Sequence, residues 1–325
     1  MSLSPTNQAA HGEAPRRALA GSVRRGGERA ARRPRTLWGD VWRQFRRRRL
    51  ALLGVVVFGL IVLGVALGPL VYATPYGAVD FAAALQGPSA AHPFGTNDLG
   101  QDVLARILWG GRISIAVGLV AMLVNIGLGT LVGALAGYFG GWVDSALMRL
   151  TDVFLSLPQL PLLLLIIYLF REPVTAALGP VGGIFALIVL VIGGLNWMPV
   201  ARLVRVSFLT LREAEFVTAA HALGIPPGRI IVRHLLPNTL GPVIVAATLA
   251  VGSAILSEST LSFLGLGFPP DTPTWGRMLY ESQNFIEFAP FMVLFPGLCI
   301  FLSVLSINYI GDGLRDALDP QQRRS

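Results

Sequence analysis

From Leu50 to Tyr72 the chain reads LALLGVVVFGLIVLGVALGPLVY, 23 residues without a charged side chain. A helix rising about 1.5 Å per residue crosses a hydrocarbon core of about 30 Å in roughly 20 residues, so this stretch predicts a membrane span. The same test predicts five more, at roughly 113 to 136, 147 to 170, 176 to 198, 241 to 262 and 289 to 308. Glycine and proline recur inside them, at Gly118, Gly127, Gly129, Gly133, Pro158, Pro161, Gly193, Gly194 and Pro296. Such residues weaken a water-soluble helix but are tolerated where helices pack closely or where kinks are re-satisfied. The pattern therefore predicts an all-α polytopic membrane protein whose six transmembrane helices form a bundle.

The polar segments divide the remainder. Residues 1–37 are rich in Arg, Ala, Gly and Ser, too poor in apolar surface to offset ordering entropy, and predict a disordered tail. A secretory leader would carry an apolar run of only about 7–15 residues, so the first span is expected to be retained. Two longer segments, roughly 73–112 and 263–288, fall on the side opposite the N-terminus. In the first, Asp98 with Gln101 suggests a helix start, and Val103, Leu104, Ile107 and Leu108 form an apolar stripe along the membrane interface. The predicted divisions are 1–37 as tail, 38–110 as first span and following segment, 111–313 as transmembrane core, and 314–325 as C-terminal tail.

One polar interruption, residues 200–240, is far longer than the 2–8 residues or so that usually join helices in a bundle. Leu211, Phe216, Ala219, Ala220 and Leu223 fall on or near one helical face, and Gly224 permits a reversal. Pro226 and Pro227 suit the start of a second helix, expected from Arg229 to Leu236 and ended by Pro237 and Asn238. The pattern is a helix, a sharp turn and another helix between the fourth and fifth spans.

Composition agrees: the 325 residues are 53% hydrophobic and 14% charged, with mean hydropathy +0.63. The net charge of +8 comes entirely from arginine, since there is no lysine. A Walker A loop and a Schiff base are thereby excluded, and the chain is not itself an ATPase of the P-loop kind. Thirteen of the 26 arginines precede residue 50, beside the first span, where anionic lipid and membrane orientation account for them better than nucleic acid. With the N-terminus inside, 22 arginines lie on the cytoplasmic side and four outside, which predicts both termini in the cytoplasm.

Little in the sequence could carry chemistry. Glu258, inside the fifth predicted span, has two readings: a pathway, gate or proton group, or a carboxyl hydrogen-bonded to hydroxyls such as Ser257, Ser259 and Thr260. Arg149 and Asp152, three residues apart, are expected to pair. His11, His92, His221 and His234 share no ligand spacing, and Cys299 is the lone cysteine, so neither metal, cofactor nor disulfide is expected, and no catalytic constellation emerges.

TAAHALG followed by RHLLPN resembles the EAA loop of bacterial ABC importer permeases: Glu-Ala-Ala, three residues, Gly, nine residues, Ile, one residue, Leu-Pro. Ala219, Ala220, Gly224, Leu236 and Pro237 match at those spacings. Thr218 stands in place of the Glu and His234 in place of the Ile, with Glu215 a candidate substitute for the missing acid. In order along the chain, HPFGTNDLGQDVLARILWGGRISIAVGL, GYFGGWVDSALMRLTDVFLSLPQLPLLLL, WMPVARLVRVSFLTLREAEFV, LSESTLSFLGLGFPPDTPTWGRML and GDGLRDALDP resemble the C-type permease subunit of dipeptide, oligopeptide and nickel importers.

The resemblance implies a type I ABC importer permease in a bacterial plasma membrane. Its partners would be a second homologous permease, two cytoplasmic ATP-binding subunits and an extracytoplasmic solute-binding protein, beside membrane lipid. It further implies that Glu215, Ala219, Ala220, Gly224, Leu236 and Pro237 dock the ATPase, with the two alanines letting the helix backbone sit deep in a groove. Two other readings stay open here: a secondary ion-driven carrier working through Glu258, and a structural or signalling membrane protein.

Overall fold

The structure, a computed structural model, describes residues 37–318, so the tail expected at residues 1–37 falls almost wholly outside them. The described residues from Val41 onward form one unit. A short helix α1 (Leu37–Phe45) precedes the first span, α2 (Arg49–Val71). The long helices that follow are α3 (Val103–Phe139), α4 (Gly141–Ser156), α5 (Gln159–Leu178), α6 (Pro180–Gly194) and α7 (Trp197–Arg212). Then come α8 (Glu215–Ala222), α9 (Pro227–Ile230), α10 (Leu236–Phe263), α11 (Trp275–Ser282) and α12 (Phe291–Leu318). No strand occurs among the described residues.

Among the described residues five helices are long and apolar enough to cross a membrane, and six spans result when α6 and α7, bent by 42° at Leu195–Asn196, count as one. The predicted third span moves. Pro158 disfavours helical geometry at the residue before it, so the apolar run breaks at Leu157. α5 at 159–178 is the span, while α4, carrying Asp144, Arg149 and Asp152, is a separate helix.

The interfacial helix expected at 98–112 is likewise the first part of α3. It starts at Val103, where the Asp102 carboxylate accepts the Ala105 N–H at 2.8 Å, rather than at Asp98. The other Asp102 oxygen accepts from the Tyr72 hydroxyl at 2.7 Å and lies 2.8 Å from His92 Nδ1, tying this cap to the end of α2.

α3 is the axis of the bundle, packing against α7, α10, α6 and α2, while α12 closes on α2 and α10. Its closest approach is to α7, through Gly129, Gly133 and Gly137 at four-residue spacing. A Cβ on them would lie 2.6, 2.8 and 2.6 Å from the Cβ atoms of Val200, Val204 and Phe208 respectively. In lipid, where apolar burial supplies little drive between helices, such backbone proximity is what holds them together. Gly127, on another face of α3, meets nothing within 4 Å. Gly133→Ile should therefore lower the detergent melting temperature sharply, at a cost of about 1–3 kcal/mol or more, while Gly127→Ala leaves it unchanged. Fluorescence-detected size-exclusion melting curves of the two variants check this.

Candidate functional site

Of the polar interruption expected at 200–240, the residues up to Arg212 belong to α7 and those from Leu236 to α10, and only the stretch between them folds as a compact module. α8 starts at Glu215, an exposed acid in the first turn, where it complements the helix dipole. It ends at Leu223, and Gly224 takes φ +70°, a conformation that favours glycine, so that the Ile225 N–H can return to Ala220 O at 3.1 Å. Pro226 and Pro227 then start α9 without losing a hydrogen bond.

The expected end at Pro237 does not occur. Residues Ile231–Leu235 form a π turn that leads directly into α10, making one 37-residue helical path from Pro227 to Phe263. Proline has no N–H and its ring crowds the carbonyl four residues back. Widening the preceding turn, with Leu236 N–H bonding to Ile231 O, lets the helix continue past it.

The module has an inner and an outer face. Val217 and Ala220 are buried with Ile230 and Leu235 in a cluster that includes Tyr138 of α3 and Phe208 of α7. Phe216, Ala219 and Leu223, at helical spacing, stay exposed, Leu223 by 79%. The stripe expected to contain both alanines is therefore divided: Ala219 belongs to the exposed face, whereas Ala220 is buried in the cluster that holds Phe208. Leu236 is half-buried, Pro237 is exposed, and Thr218 is exposed with its hydroxyl 3.4 Å from Ala214 O.

Polar contacts that periodicity could not reveal fix the module to α3, and α7 to α3 and α4. The Tyr138 hydroxyl lies 3.1 Å from His221 Nε2, and Arg212 donates to Tyr138 O at 3.1 Å. Asp144 of α4 accepts a two-pronged contact from Arg205 of α7, and Arg202 donates to Asp152 at 2.5 Å. Asp152 thus pairs across helices and not with Arg149. No spacing signalled these pairs, since the arginines are three residues apart and their partner acids eight, and they meet only once the break at Pro158 folds α4 alongside α7.

Glu258 lies far from this module, near the opposite end of α10. It is fully buried: Ser262 donates to Oε1 at 2.8 Å and Ser114 of α3 to Oε2 at 3.1 Å, with Ser259 at 3.5 Å. Of the hydroxyls the sequence suggested, only Ser259 is a partner; Ser114 is distant in sequence. Among the described residues no three His, Cys, Asp or Glu side chains gather as a metal site would require.

A bundle of spans with a polar helix-turn-helix between two of them defines a polytopic membrane protein. The chain belongs to the family of binding-protein-dependent transport system inner membrane components, whose model matches residues 129–324. Residues 36–88 match the N-terminal TM domain of oligopeptide transport permease C. The dipeptide transport system permease protein DppC of Alkalihalophilus pseudofirmus is 43% identical over 286 residues, covering 88% of this chain and 90% of that one. The oligopeptide transport system permease protein OppC of Escherichia coli K12 is 40% identical over 89% of this chain and 93% of its own. The glutathione transport system permease protein GsiD of Pectobacterium atrosepticum is 37% identical over 88% and 92%. An inward-facing structure of the MetNI methionine ABC transporter shares the fold, with TM-score 0.51 and 22% identity over 65% of this chain and 94% of that one. These relatives are transport permeases, and an ion-driven carrier is not the reading they favour.

The Arg205 guanidinium, mainly through its hydrogen bonds, holds the Asp144 carboxyl below the usual carboxylate range. A folded pKa below the unfolded one stabilises at neutral pH and loses that contribution only as pH falls through the folded value. Asp144→Asn should thus lower stability by roughly 1–2 kcal/mol at pH 7, with the gap to the wild type closing below about pH 4. Melting curves of both proteins across that pH range test it.

Proposed function

We propose that the chain is one of two permease subunits of an ATP-driven, binding-protein-dependent importer for peptides or related solutes, forming half of the translocation pathway. Its α8 module receives two cytoplasmic ATPases' motion through the exposed stripe Phe216, Ala219 and Leu223. The observation that carries this reading is the divided module: an inner face cemented to α3 and α7, and an outer face of apolar side chains that nothing among the described residues covers. A connector would have no reason to present such a face to water. Glu215 stands at the edge of that face, Gly224 makes the turn, and Leu236 with Pro237 joins the module to α10. Docking through shape at Ala219 therefore replaces docking through charge at Thr218.

The orientation follows from arginine. The module, α1 and the end of α12 fall on the arginine-rich side, which supports a cytoplasmic location for them and for both termini at a bacterial plasma membrane. The excess around residues 43–49 faces anionic lipid headgroups there. An extracytoplasmic solute-binding protein then meets the opposite face, and a homologous second permease completes the pathway.

The reading is tested by uptake in proteoliposomes: transport should require ATP, the ATPases and the binding protein, and uptake driven by an ion gradient without ATPases would overturn it. The two alanines separate docking from folding. Ala219→Trp should leave the melting temperature unchanged yet lose the ATPases on copurification. Ala220→Trp, forced against Phe208, should instead destabilise the chain by about 1–3 kcal/mol. Copurification and melting of the two variants distinguish them.

A further inference from the structure

At the end of the bundle opposite the module, the segment from Pro273 to Gly276 is wedged between α3 and α10. Glycines make room for it on both sides. A Cβ on Gly110 would lie 3.1 Å from Pro273 O and Thr274 Cα, one on Gly111 2.7 Å from the Trp275 ring, and one on Gly276 2.5 Å from Ser259 Cα. Trp275 is completely buried, and its indole N–H donates to Ile107 O of α3 at 3.1 Å. The wedge opens directly into α11, which Thr274 caps by accepting the Arg277 N–H at 3.1 Å.

Glu258 sits where the three elements meet. Ser114, which donates to its carboxylate, also accepts the Trp275 backbone N–H at 3.3 Å. Ser262, which donates to its other oxygen, stands 3.5 Å from the Thr274 hydroxyl. One carboxylate thus orients two hydroxyls, and each hydroxyl faces the wedge. A carboxylate accepts from several donors at once, which a neutral apolar side chain cannot do. On the far side of α11, Glu281 accepts from Arg106 of α3 at 2.6 Å and from Arg277 at 3.0 Å, so the helix is held at two separated points.

We propose that Glu258 is a positioning residue: it bolts the α11 segment to α3 and α10 so that the outer face of the importer moves with α10. The inference rests on the coupling reading of the α8 module, because α10 is the far part of the helical path that begins at Pro227 in that module. At about 1.5 Å per residue, this 37-residue path is about 55 Å long, enough to run from the cytoplasmic surface to the outer one. Movement of the module therefore reaches α11 without passing through a loop. The carboxylate does not contact solute; it acts through Ser114 and Ser262. Gating at this face then occurs between α11 with its attached spans and the second permease, not between α3 and α10.

Cys299 supplies a built-in reporter, being the only cysteine in the chain and packed with Trp275, Met278 and Leu279. In the complete importer, with cysteine-free partner subunits in proteoliposomes, the rate of maleimide labelling at Cys299 and the ATPase stimulation by binding protein are measured together. Glu258→Ala and Ser114→Ala should raise labelling roughly tenfold, as expected when a buried hydrogen-bond network loses a member, and lose most of the stimulation. Glu258→Gln keeps both links only if one serine reverses its role, the amide oxygen accepting from one hydroxyl and the NH2 donating to the other, and should stay within about twofold of the wild type in both. If Glu258→Ala does not assemble, Ser114→Ala carries the same test.

Wild-type labelling in the alanine variants, faster labelling with full stimulation, or a Gln variant that fails while Cys299 stays protected would each overturn the proposal. Failure of the underlying coupling reading shows up separately. Ala219→Trp would then keep its ATPases and transport normally, whatever the labelling of Cys299.

Discussion

Inside a hydrocarbon slab about 30 Å thick, a peptide group that leaves the helix has no water to replace its lost partner. Each feature of this bundle answers to that constraint. The spans are helical throughout, and where two helices do break, side chains replace the missing bonds. Asn196, at the bend between α6 and α7, donates to Ile192 O at 2.7 Å, and Gln159, just after the break before α5, donates to Asn196 Oδ1 at 2.8 Å. The two irregularities lie side by side and satisfy each other. The turn before Pro237, in the module at the edge of the bundle, keeps its backbone bonded differently, by widening so that the helix need not stop.

The constraint also decides how the helices associate. Lipid is as apolar as a leucine side chain, so burial alone does not choose neighbours, and close backbone contact does. Gly129, Gly133 and Gly137 join α3 to α7, while Gly110, Gly111 and Gly276 admit the Pro273–Gly276 segment. α3 therefore carries two glycine stripes, one for each end of the bundle. One end receives the α8 module and is fastened by arginine–aspartate pairs at the membrane edge; the other receives α11 and is fastened by hydroxyls on a buried carboxylate.

Most of the fold was legible because the length of an apolar run is a direct measure of membrane thickness. α2 starts and stops within one residue of its predicted bounds. Errors fell where a single residue, not the average character of a window, controls the backbone. Pro158 moved the third span, Asp102 and not Asp98 capped α3, and Pro237 failed to end a helix that a π turn could carry past it. The module was legible as helix, turn and helix, since Gly224 and the two prolines each have one local use. Which face of α8 looks outward was not, because Val217, Ala219 and Ala220 are all small or apolar, and only Phe208 and Tyr138 from distant helices say which are covered.

By itself, then, the sequence determined the class of the molecule: an all-helical, arginine-rich membrane subunit with a structured polar module between two late spans. Those properties depend on hydropathy, on charge and on residues whose backbone preferences are local. Tertiary structure decided the pairings. Asp152 chose Arg202 over the nearer Arg149, Ala220 became core and Ala219 surface, and Glu258 found Ser114, distant in sequence, more useful than Ser257 beside it. Each of those outcomes depends on which helices lie against one another, and that is set by glycine notches and helix breaks whose partners no local pattern names.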